Sequence, residues 1–528
     1  MGVRAKPTRP SRIQPSADPP AGGGAPVRRH HRGGGLLRYL ALATDYDGTL
    51  AEHGRVSRRT IAALERVRAS GRRLLLVTGR LLADLAQVFP RLDLFDRVVA
   101  ENGAILYRPG RREEVALAPS PPPGVAAALR ARGVPFGAGR VVIETRQPHE
   151  FQALECIREL GLDLAVELNR GAAMIMPAGV DKRSGVAAAL AELELTFHET
   201  VGVGDAENDR VMLRACECGA AVANALDAVK SGADLVTRGD HGAGVEEIAL
   251  RLVADDLGAV DPPRRRIPIG VRGGREVTLT PARARLLVTG ATPDAGRFAA
   301  YTLEWLLARG YQVCLVGARG GLGAPSGLAV LGTPEQAPSV DDVASVLADP
   351  SANAVVDLLA VPIPDRPAFL ARLLPRLQEL RARTGRPHWI ALVDAEHLLP
   401  DGRGPVQLPH DPGGLLLATA HPERLAPAAR ELVNAVVAHG PDAEDRVRAF
   451  LLAPGRTAPA ARIARHEGEA VAWVDGRGRR TPPLFAMRPA TAGPADTLAA
   501  REASDAAARG QAFRVGGPED RVDPAPGR

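Results

Sequence analysis

Two carboxylates one residue apart, Asp45 and Asp47, follow an apolar run at 36–42 and precede Gly48 and Thr49. The run predicts a buried strand, so the two acids arrive together where a strand ends and a glycine turns the chain. In a parallel α/β sheet the carboxyl ends of the strands form the ligand crevice, where short side chains can meet one small substrate group. A pair placed there suits metal-assisted chemistry through an acyl phosphate. Asp-x-Asp-Gly is also a common turn or calcium-loop fragment, so the pair alone leaves both readings open.

The elements that must position these acids follow from periodicity. Residues 57–70 have helical spacing with Ser57 as N-cap. Buried strands are expected at 73–80 and 97–104, each closing on small polar residues and a glycine: Thr78, Gly79 and Arg80 in the first, Glu101, Asn102 and Gly103 in the second. A helix at 81–89 lies between them. From about 107 to 178 the pattern loosens into a small α+β insertion, with strands at 140–145, 164–168 and 172–176 and a helix at 150–160. Alternation then resumes. Asp181 and Lys182 open a helix, a strand from 199 ends in Asp205, Asn208 and Asp209, and strands at 222–225 and 233–237 with a helix at 244–253 finish the unit. Strands alternating with helices predict a doubly wound parallel sheet.

Among 67 basic residues only Lys6, Lys182 and Lys230 are lysines. Arginine therefore stands nearly everywhere that positive charge alone suffices, and a remaining lysine calls for a reason. Lys230 reads as a surface residue. Nothing beyond it can supply an ammonium group.

At 528 residues the chain exceeds a single core, and no apolar run approaches the roughly 18 residues that span a bilayer. A membrane partner is not expected, and with no apolar leader segment a cytoplasmic location is. The formal charge of +6 equals the charge of residues 1–35, so the rest of the chain is formally neutral and argues against a nucleic-acid surface. Residues 1–36 and 490–528 have the Pro, Gly, Ala and Arg content of disordered tails. The four cysteines are too scattered for a disulfide framework or a zinc site and read as buried thiols.

Residues 37–256 resemble the haloacid-dehalogenase superfamily of phosphohydrolases, in the branch with a type-2 cap that includes sugar-phosphate phosphatases. The matching motifs, in family order, are Asp45-Tyr46-Asp47-Gly48-Thr49, Val77-Thr78-Gly79-Arg80, Lys182, and Gly204-Asp205-Ala206-Glu207-Asn208-Asp209. The resemblance implies a Rossmann-like sheet with a cap inserted at about 107–178. It makes Asp45 the nucleophile and Asp47 the general acid and base, with Thr78 donating to a phosphoryl oxygen and the main chain at Gly48 and Thr49 completing the anion cradle.

Four carboxylates converging on a phosphate need cations, because like charges about 4 Å apart cost about 4 kcal/mol per pair at an effective dielectric of 20. Lys182 supplies one. The resemblance implies Mg2+ as the other, held by Asp45, Asp205 and the Asp47 carbonyl. Asp209 is expected to orient Lys182 or a bound water, and Asn208 to support the site. Asn102 and Arg80 are expected at the substrate or in the turns.

After a linker at 257–266 the alternation begins again, with buried strands expected at 283–289, 311–316, 354–359, 389–394 and 415–418. Residues 267–489 resemble the nucleotide-binding core of HerA-type and FtsK-type translocase ATPases, a P-loop fold, with degenerate motifs. A phosphate loop from Gly290 would need lysine and a hydroxyl at 296 and 297, where the chain has Gly296 and Arg297. On the acid strand Asp394 is followed by Ala395 and Glu396, not by an adjacent acid. Thr419 and His421 read as a sensor-loop remnant or plain strand-end polarity.

The expectation is a Mg2+-dependent phosphatase for a small phosphorylated metabolite, a sugar phosphate among the options, with a nucleotide-fold second half that does not hydrolyse and whose nucleotide binding is in doubt. The rivals are an ATP-driven nucleic-acid motor and a nucleotide-regulated binding protein, both using that second half.

Overall fold

The computed structural model describes residues 37–169, 171–290, 293–317, 328–402, 407–409, 412–452, 462–475 and 483–490. The arm at 1–36, the tail from 491 onward and positions 291 and 292 after Gly290 lie outside the described residues, so the disorder expected of the two tails does too.

The first half runs β1 (Ala41–Asp45), α1 (Arg58–Ala69), β2 (Arg73–Val77), α2 (Leu82–Val88), β3 (Arg97–Ala100), β4 (Ile105–Arg108) and β5 (Glu113–Ala116). Then come α3 (Pro123–Ala131), β6 (Gly137–Ala138), β7 (Ile143–Arg146), α4 (Glu150–Glu159), β8 (Leu164–Asn169) and β9 (Ala172–Pro177). It closes with α5 (Lys182–Glu192), β10 (Thr200–Gly204), α6 (Arg210–Ala215), β11 (Cys218–Ala221), α7 (Asp227–Lys230), β12 (Leu235–Val236) and α8 (His241–Asp255). Ser57 caps α1 as its sequence predicts, accepting from the Thr60 amide at 3.0 Å.

Eight strands form one sheet in the order β12-β11-β10-β1-β2-β3-β4-β5. The run from β12 to β3 is parallel, and β4 and β5 add an antiparallel edge. Every residue of β1 and β10 is buried, as strands covered by helices on both faces require. The chain leaves β1 toward β2 and β3 and later returns to β10 on the other side of β1. The sheet therefore changes direction between β1 and β10, the place where α/β sheets open a crevice. A separate four-stranded sheet, β6-β7-β9-β8, with α3 and α4 and its own small core around Val125, Leu129 and Ile175, forms the inserted layer.

Three details differ from the periodicity reading. The apolar run at 36–42 does not pair along its length, because the Arg38 and Tyr39 amides donate to the Asp256 carboxylate at 2.5 and 3.4 Å, and pairing to β2 begins at Ala41. The inserted sheet begins after Ala116 and not near 107, since β4 and β5 extend the large sheet. The strand expected at 222–225 is β11, four residues earlier. There the chain is already turning, and Asn224 donates to the Gly48 carbonyl at 2.7 Å.

The second half forms an 11-stranded sheet in which all five expected buried strands occur. Its elements are β13 (Ile267–Arg272), β14 (Arg275–Leu279), β15 (Arg285–Thr289), α9 (Pro293–Ala308), β16 (Val313–Gly317), β17 (Ala329–Leu331) and α10 (Val340–Ala348). They continue with β18 (Ala354–Asp357), α11 (Arg366–Thr384), β19 (Trp389–Val393), α12 (Ala395–Leu398), β20 (Gly414–Thr419), α13 (Pro427–Leu432), β21 (Ala435–Ala438), α14 (Ala443–Leu452), β22 (Ala470–Val474) and β23 (Phe485–Pro489). The parallel part has the order β21-β15-β20-β19-β16-β18-β17, and β22, β23, β13 and β14 continue it antiparallel. The antiparallel strands went unforeseen because their alternation is short and broken by glycine pairs such as Gly273-Gly274.

The two sheets meet through loops that precede their strands. His198 stacks on Tyr311, with ring centroids 3.9 Å apart, and its Nδ1 lies 2.9 Å from Glu217. The buried Glu217 also accepts from the Tyr311 hydroxyl at 3.1 Å and from Arg38 at 3.0 Å, with Arg265 3.5 Å away. His388 Nε2 lies 2.5 Å from Glu199. The linker is part of this joint: Arg264 and Arg265 donate to the Cys216 carbonyl at 2.6 and 2.8 Å. All four cysteines are buried free thiols, as expected. Among the described residues no helix is long and apolar enough to cross a membrane.

Burial alone would raise the Glu217 carboxyl, but the His198 hydrogen bond and the charges of His198, Arg38 and Arg265 outweigh it and hold the group well below the usual carboxylate range. A depressed carboxyl stabilises the fold above its unfolded pKa of about 4.3, and that contribution fades as acid titrates it. Glu217→Ala is expected to cost about 3–5 kcal/mol near neutral pH by leaving buried cations unpaired. The wild type should lose that advantage on acidification below about pH 4.3. Denaturant midpoints of both proteins between neutral and acid pH check this.

Candidate active site

The ladder sets the site's geometry. Asp45 is the last residue of β1 and pairs with Val77 of β2, so Thr78 follows at the same level. Thr44 pairs with Val203 of β10, which brings Asp205 to the same edge from the other side. Lys182 is the first residue of α5, whose N-cap Asp181 accepts from the Ser184 amide at 2.7 Å. Helix α5 is pressed onto the turn at Glu101–Gly103. Gly103 has φ +109°, and a Cβ there would lie 1.9 Å from the Asp181 carbonyl oxygen, so only glycine admits the helix start.

Lys182 Nζ donates to Asp45 Oδ1 at 2.6 Å and to Asp209 Oδ1 at 2.7 Å, all three groups being buried. The second oxygen of Asp209 accepts from the amides of Asp205 and Ala206, both at 2.9 Å. Asp209 thus ties the lysine to the loop that carries Asp205. Asp205 Oδ1 accepts from the Thr49 hydroxyl at 2.7 Å. One oxygen from each of Asp45, Asp205 and Asp209 lies within 4.8 Å of the others.

Three buried carboxylates against one ammonium leave the centre short of positive charge. Burial and the neighbouring Asp209 push the Asp45 carboxyl well above the usual aspartate value despite Lys182. Burial also works against the Lys182 ammonium, but Asp209 and Asp45 outweigh it and raise its pKa, keeping it charged. An all-oxygen set lacking positive charge fits a hard divalent cation such as Mg2+.

Asp47 stands at the mouth with its side chain 44% exposed. Its carboxylate is gripped by Arg80 through two 2.6 Å hydrogen bonds. The side chain of Asp47 is not part of the oxygen cluster of Asp45, Asp205 and Asp209. Arg80 meets Asp47 and also lines the cleft. The buried Thr78 hydroxyl accepts from the Arg80 amide at 3.1 Å. Asn102 is fully buried and does not line the cleft; it bridges Glu167 and Asn208.

The inserted sheet roofs a cleft of about 590 Å3 whose lining includes Asp45, Asp47, Arg80, Asn208 and, from the roof, Phe136, Glu144, Arg146 and Asn169. Of the roof loop at 146–149, Arg146 reaches the cleft, whereas Gln147 and His149 do not. Periodicity places Glu101 at the close of a strand but gives no sign of what it holds. Its buried carboxylate accepts from the amides of Arg140, Val141 and Val142 at 2.8–2.9 Å and so fastens the roof to the core.

A family model of haloacid dehalogenase-like hydrolases matches residues 42–116 and 144–248. A phosphoglycolate phosphatase of Pyrobaculum islandicum is 30% identical over 239 residues, covering 41% of this chain and 96% of that protein. The chain belongs to the haloacid dehalogenase-like hydrolases. Within that family it is a phosphoric monoester hydrolase. Phosphoglycolate phosphatase 2 of Saccharolobus solfataricus is 38% identical over 107 residues, 20% of this chain, and the chain spans 45% of that relative. A haloacid dehalogenase-like hydrolase structure from Bacteroides thetaiotaomicron aligns with a TM-score of 0.36 at 20% identity, over 40% of this chain and 99% of that one.

In the second half, Gly290, Asp394 and Thr419 stand at the carboxyl ends of β15, β19 and the intervening β20. Arg297 is exposed and pairs with Asp294, itself in the first turn of α9. Glu396 accepts from Thr419 Oγ1 at 2.5 Å, and His421 is exposed beside Glu423.

The hydrolase centre depends on room beside β10. A Cβ on Gly204 would lie 2.6 Å from the Asp209 carboxyl carbon. Gly204→Ala is expected to displace Asp209 and cost about 1–3 kcal/mol of stability, read as a lowered denaturation midpoint.

Proposed function

We propose that the first half is a Mg2+-dependent phosphatase that hydrolyses a small phosphorylated metabolite through an aspartyl-phosphate on Asp45. The observation that carries this reading is the buried set of Asp45, Asp205 and Asp209 around Lys182, at the switch point of the sheet and under a roofed cleft. Asp45 and Asp205, with the Asp47 carbonyl, would hold Mg2+, which when bound supplies positive charge to the phosphoryl oxygens.

Asp45 Oδ attacks phosphorus as the bond to the leaving alcohol breaks, and Asp47 gives that oxygen its proton. Asp47 then takes a proton from water as the water oxygen attacks phosphorus, which frees Asp45 and inorganic phosphate. Lys182 and the Thr78 hydroxyl offset charge on the phosphoryl group, and Asp209 keeps Lys182 aimed. Asp47, gripped at both oxygens by Arg80, must turn from that guanidinium to reach the leaving group.

We read the second half as a nucleotide fold that does not hydrolyse. The order of β15, β20 and β19 and the polar strand ends support the fold, and three features support its silence. No lysine follows Gly290, Asp294 sets a negative charge in the first turn of α9 where an anion would sit, and Glu396 is occupied by Thr419.

The test is a phosphate-release screen of the purified chain with Mg2+ over sugar phosphates, nucleotides and cofactor phosphates. Release should vanish in Asp45→Asn and with a chelator, and Asp47→Asn should lower kcat by about 10²–10⁴. Full activity in Asp45→Asn overturns the reading. Lys182→Arg should stay inactive, because a planar fork does not fit between Asp45 and Asp209.

A further inference from the structure

The turn beneath the start of α5 has an unfavourable shape. Glu101, Asn102 and Gly103 have φ of 49°, 53° and 109°, three left-handed residues in a row. Residues with a side chain disfavour that region, so the run persists only where surrounding contacts fix it. Those contacts lead into the hydrolase centre. The Glu101 amide donates to the Arg80 carbonyl and the Asn102 amide to the Thr78 carbonyl, both at 3.0 Å. Gly103 lies against the Asp181 carbonyl, and Lys182 opens α5 immediately after it.

A further support comes from the roof. Residues 139–142 form the tip of the β6–β7 hairpin, closed by the Gly139 amide donating to the Val142 carbonyl at 2.8 Å. Val141 and Val142 are fully buried and belong to the main core of the first half, not to the small core of the inserted sheet. The amides of Arg140, Val141 and Val142 that Glu101 collects are those of this tip. A Cβ on Gly139 would lie 2.6 Å from the Glu101 carboxyl carbon, so only glycine lets the tip come this close. Strand β7 runs directly from the tip, and its Glu144 and Arg146 line the cleft. One carboxylate therefore sets the seat of a roof strand and braces the turn under Lys182.

We propose that Glu101 is a positioning residue for hydrolysis: with the hairpin tip seated on its carboxylate, the 101–103 turn keeps its left-handed form and holds Thr78 and Lys182 in place for attack. Lifting the tip removes the brace, the turn relaxes, and Lys182 loses its aim between Asp45 and Asp209. Roof closure and assembly of the phosphoryl site are then one event. This inference rests on the phosphatase reading for its reaction, and its own content is the coupling of roof to lysine.

The experiment uses the full chain and four variants, Glu101→Gln, Glu101→Gly, Glu101→Ala and Gly139→Ala. It measures kcat with Mg2+ on p-nitrophenyl phosphate, the denaturant midpoint, and hydrogen exchange at residues 139–143 and 182–186. Glycine suits a positive φ, so Glu101→Gly should be more stable than Glu101→Ala. A merely structural role would leave kcat of the folded protein unchanged or rank it with stability. Under the proposal kcat follows the carboxylate instead. Glu101→Gly and Glu101→Ala should each lose about 10²-fold, as misplaced catalytic groups do. Glu101→Gln keeps one oxygen for the Val141 and Val142 amides and should lose about tenfold. Gly139→Ala changes no atom of the turn but pushes the tip away; it should lower kcat about tenfold and speed exchange at 182–186 as well as at 139–143. Wild-type kcat in folded Glu101→Gly or in Gly139→Ala, or exchange accelerated at the tip alone, overturns the proposal. If the wild type releases no phosphate, the phosphatase reading falls and exchange decides the coupling: acceleration at both segments sustains it, and acceleration at the tip alone or at neither overturns it.

Discussion

Three buried carboxylates with a single ammonium group among them, bonded to two of the three, are the constraint on which the first half of this protein is built. Taking such charges out of water is tolerable only if each has a partner at hydrogen-bond distance. The partners come from elements far apart in sequence: Asp45 from β1, Thr49 from the loop after it, Lys182 from α5, Asp209 from the turn after β10. The parallel ladder brings the strand ends level, and bare glycine surfaces at Gly103 and Gly204 let α5 and the Asp209 turn approach. The close packing beneath the site exists to let few cations serve many acids.

The roof is tied to this centre by carboxylates as well. Glu101 on the core collects three roof amides, and Glu167 on the roof takes a hydrogen bond from the core's Asn102. One tie runs in each direction, and both pass through the turn that supports the start of α5. Seating of the roof and placement of Lys182 thus depend on the same few residues, so a change in one is felt by the other.

Much of this was legible before any coordinates. Asp45, Thr78, Lys182, Asp205 and Asp209 stand out because strand ends followed by glycine locate a crevice, and because a lysine in an arginine-rich chain is conspicuous. The main strands were legible because buried parallel strands read as continuous apolar runs. Residues whose role depends on a distant partner were not. Glu101 reads only as the close of a strand and Glu167 as an ordinary surface glutamate until folding sets amides before them, and nothing local tells Arg80 to grip Asp47. Glu217, His198 and Tyr311 are ordinary polar residues in loops until two sheets close on them. The start of β1 was missed because Asp256, far along the chain, takes the backbone amides there, and β11 was placed late because residues 222–225 already turn, with the Asn224 side chain donating to the Gly48 carbonyl.

Among the described residues the joint between the halves is made mainly from segments that precede strands: Arg38, His198 and Glu217 on one side, Tyr311 and His388 on the other. The first sheet therefore turns its rear edge to its neighbour and holds the hydrolase centre at the far end of its strands. At about 3.3 Å per residue, a five-residue strand puts some 16 Å of packed backbone between the joint and that centre. The joint is a back wall with its own buried charges, Glu217 among its cations, and it leaves the crevice open at the opposite end.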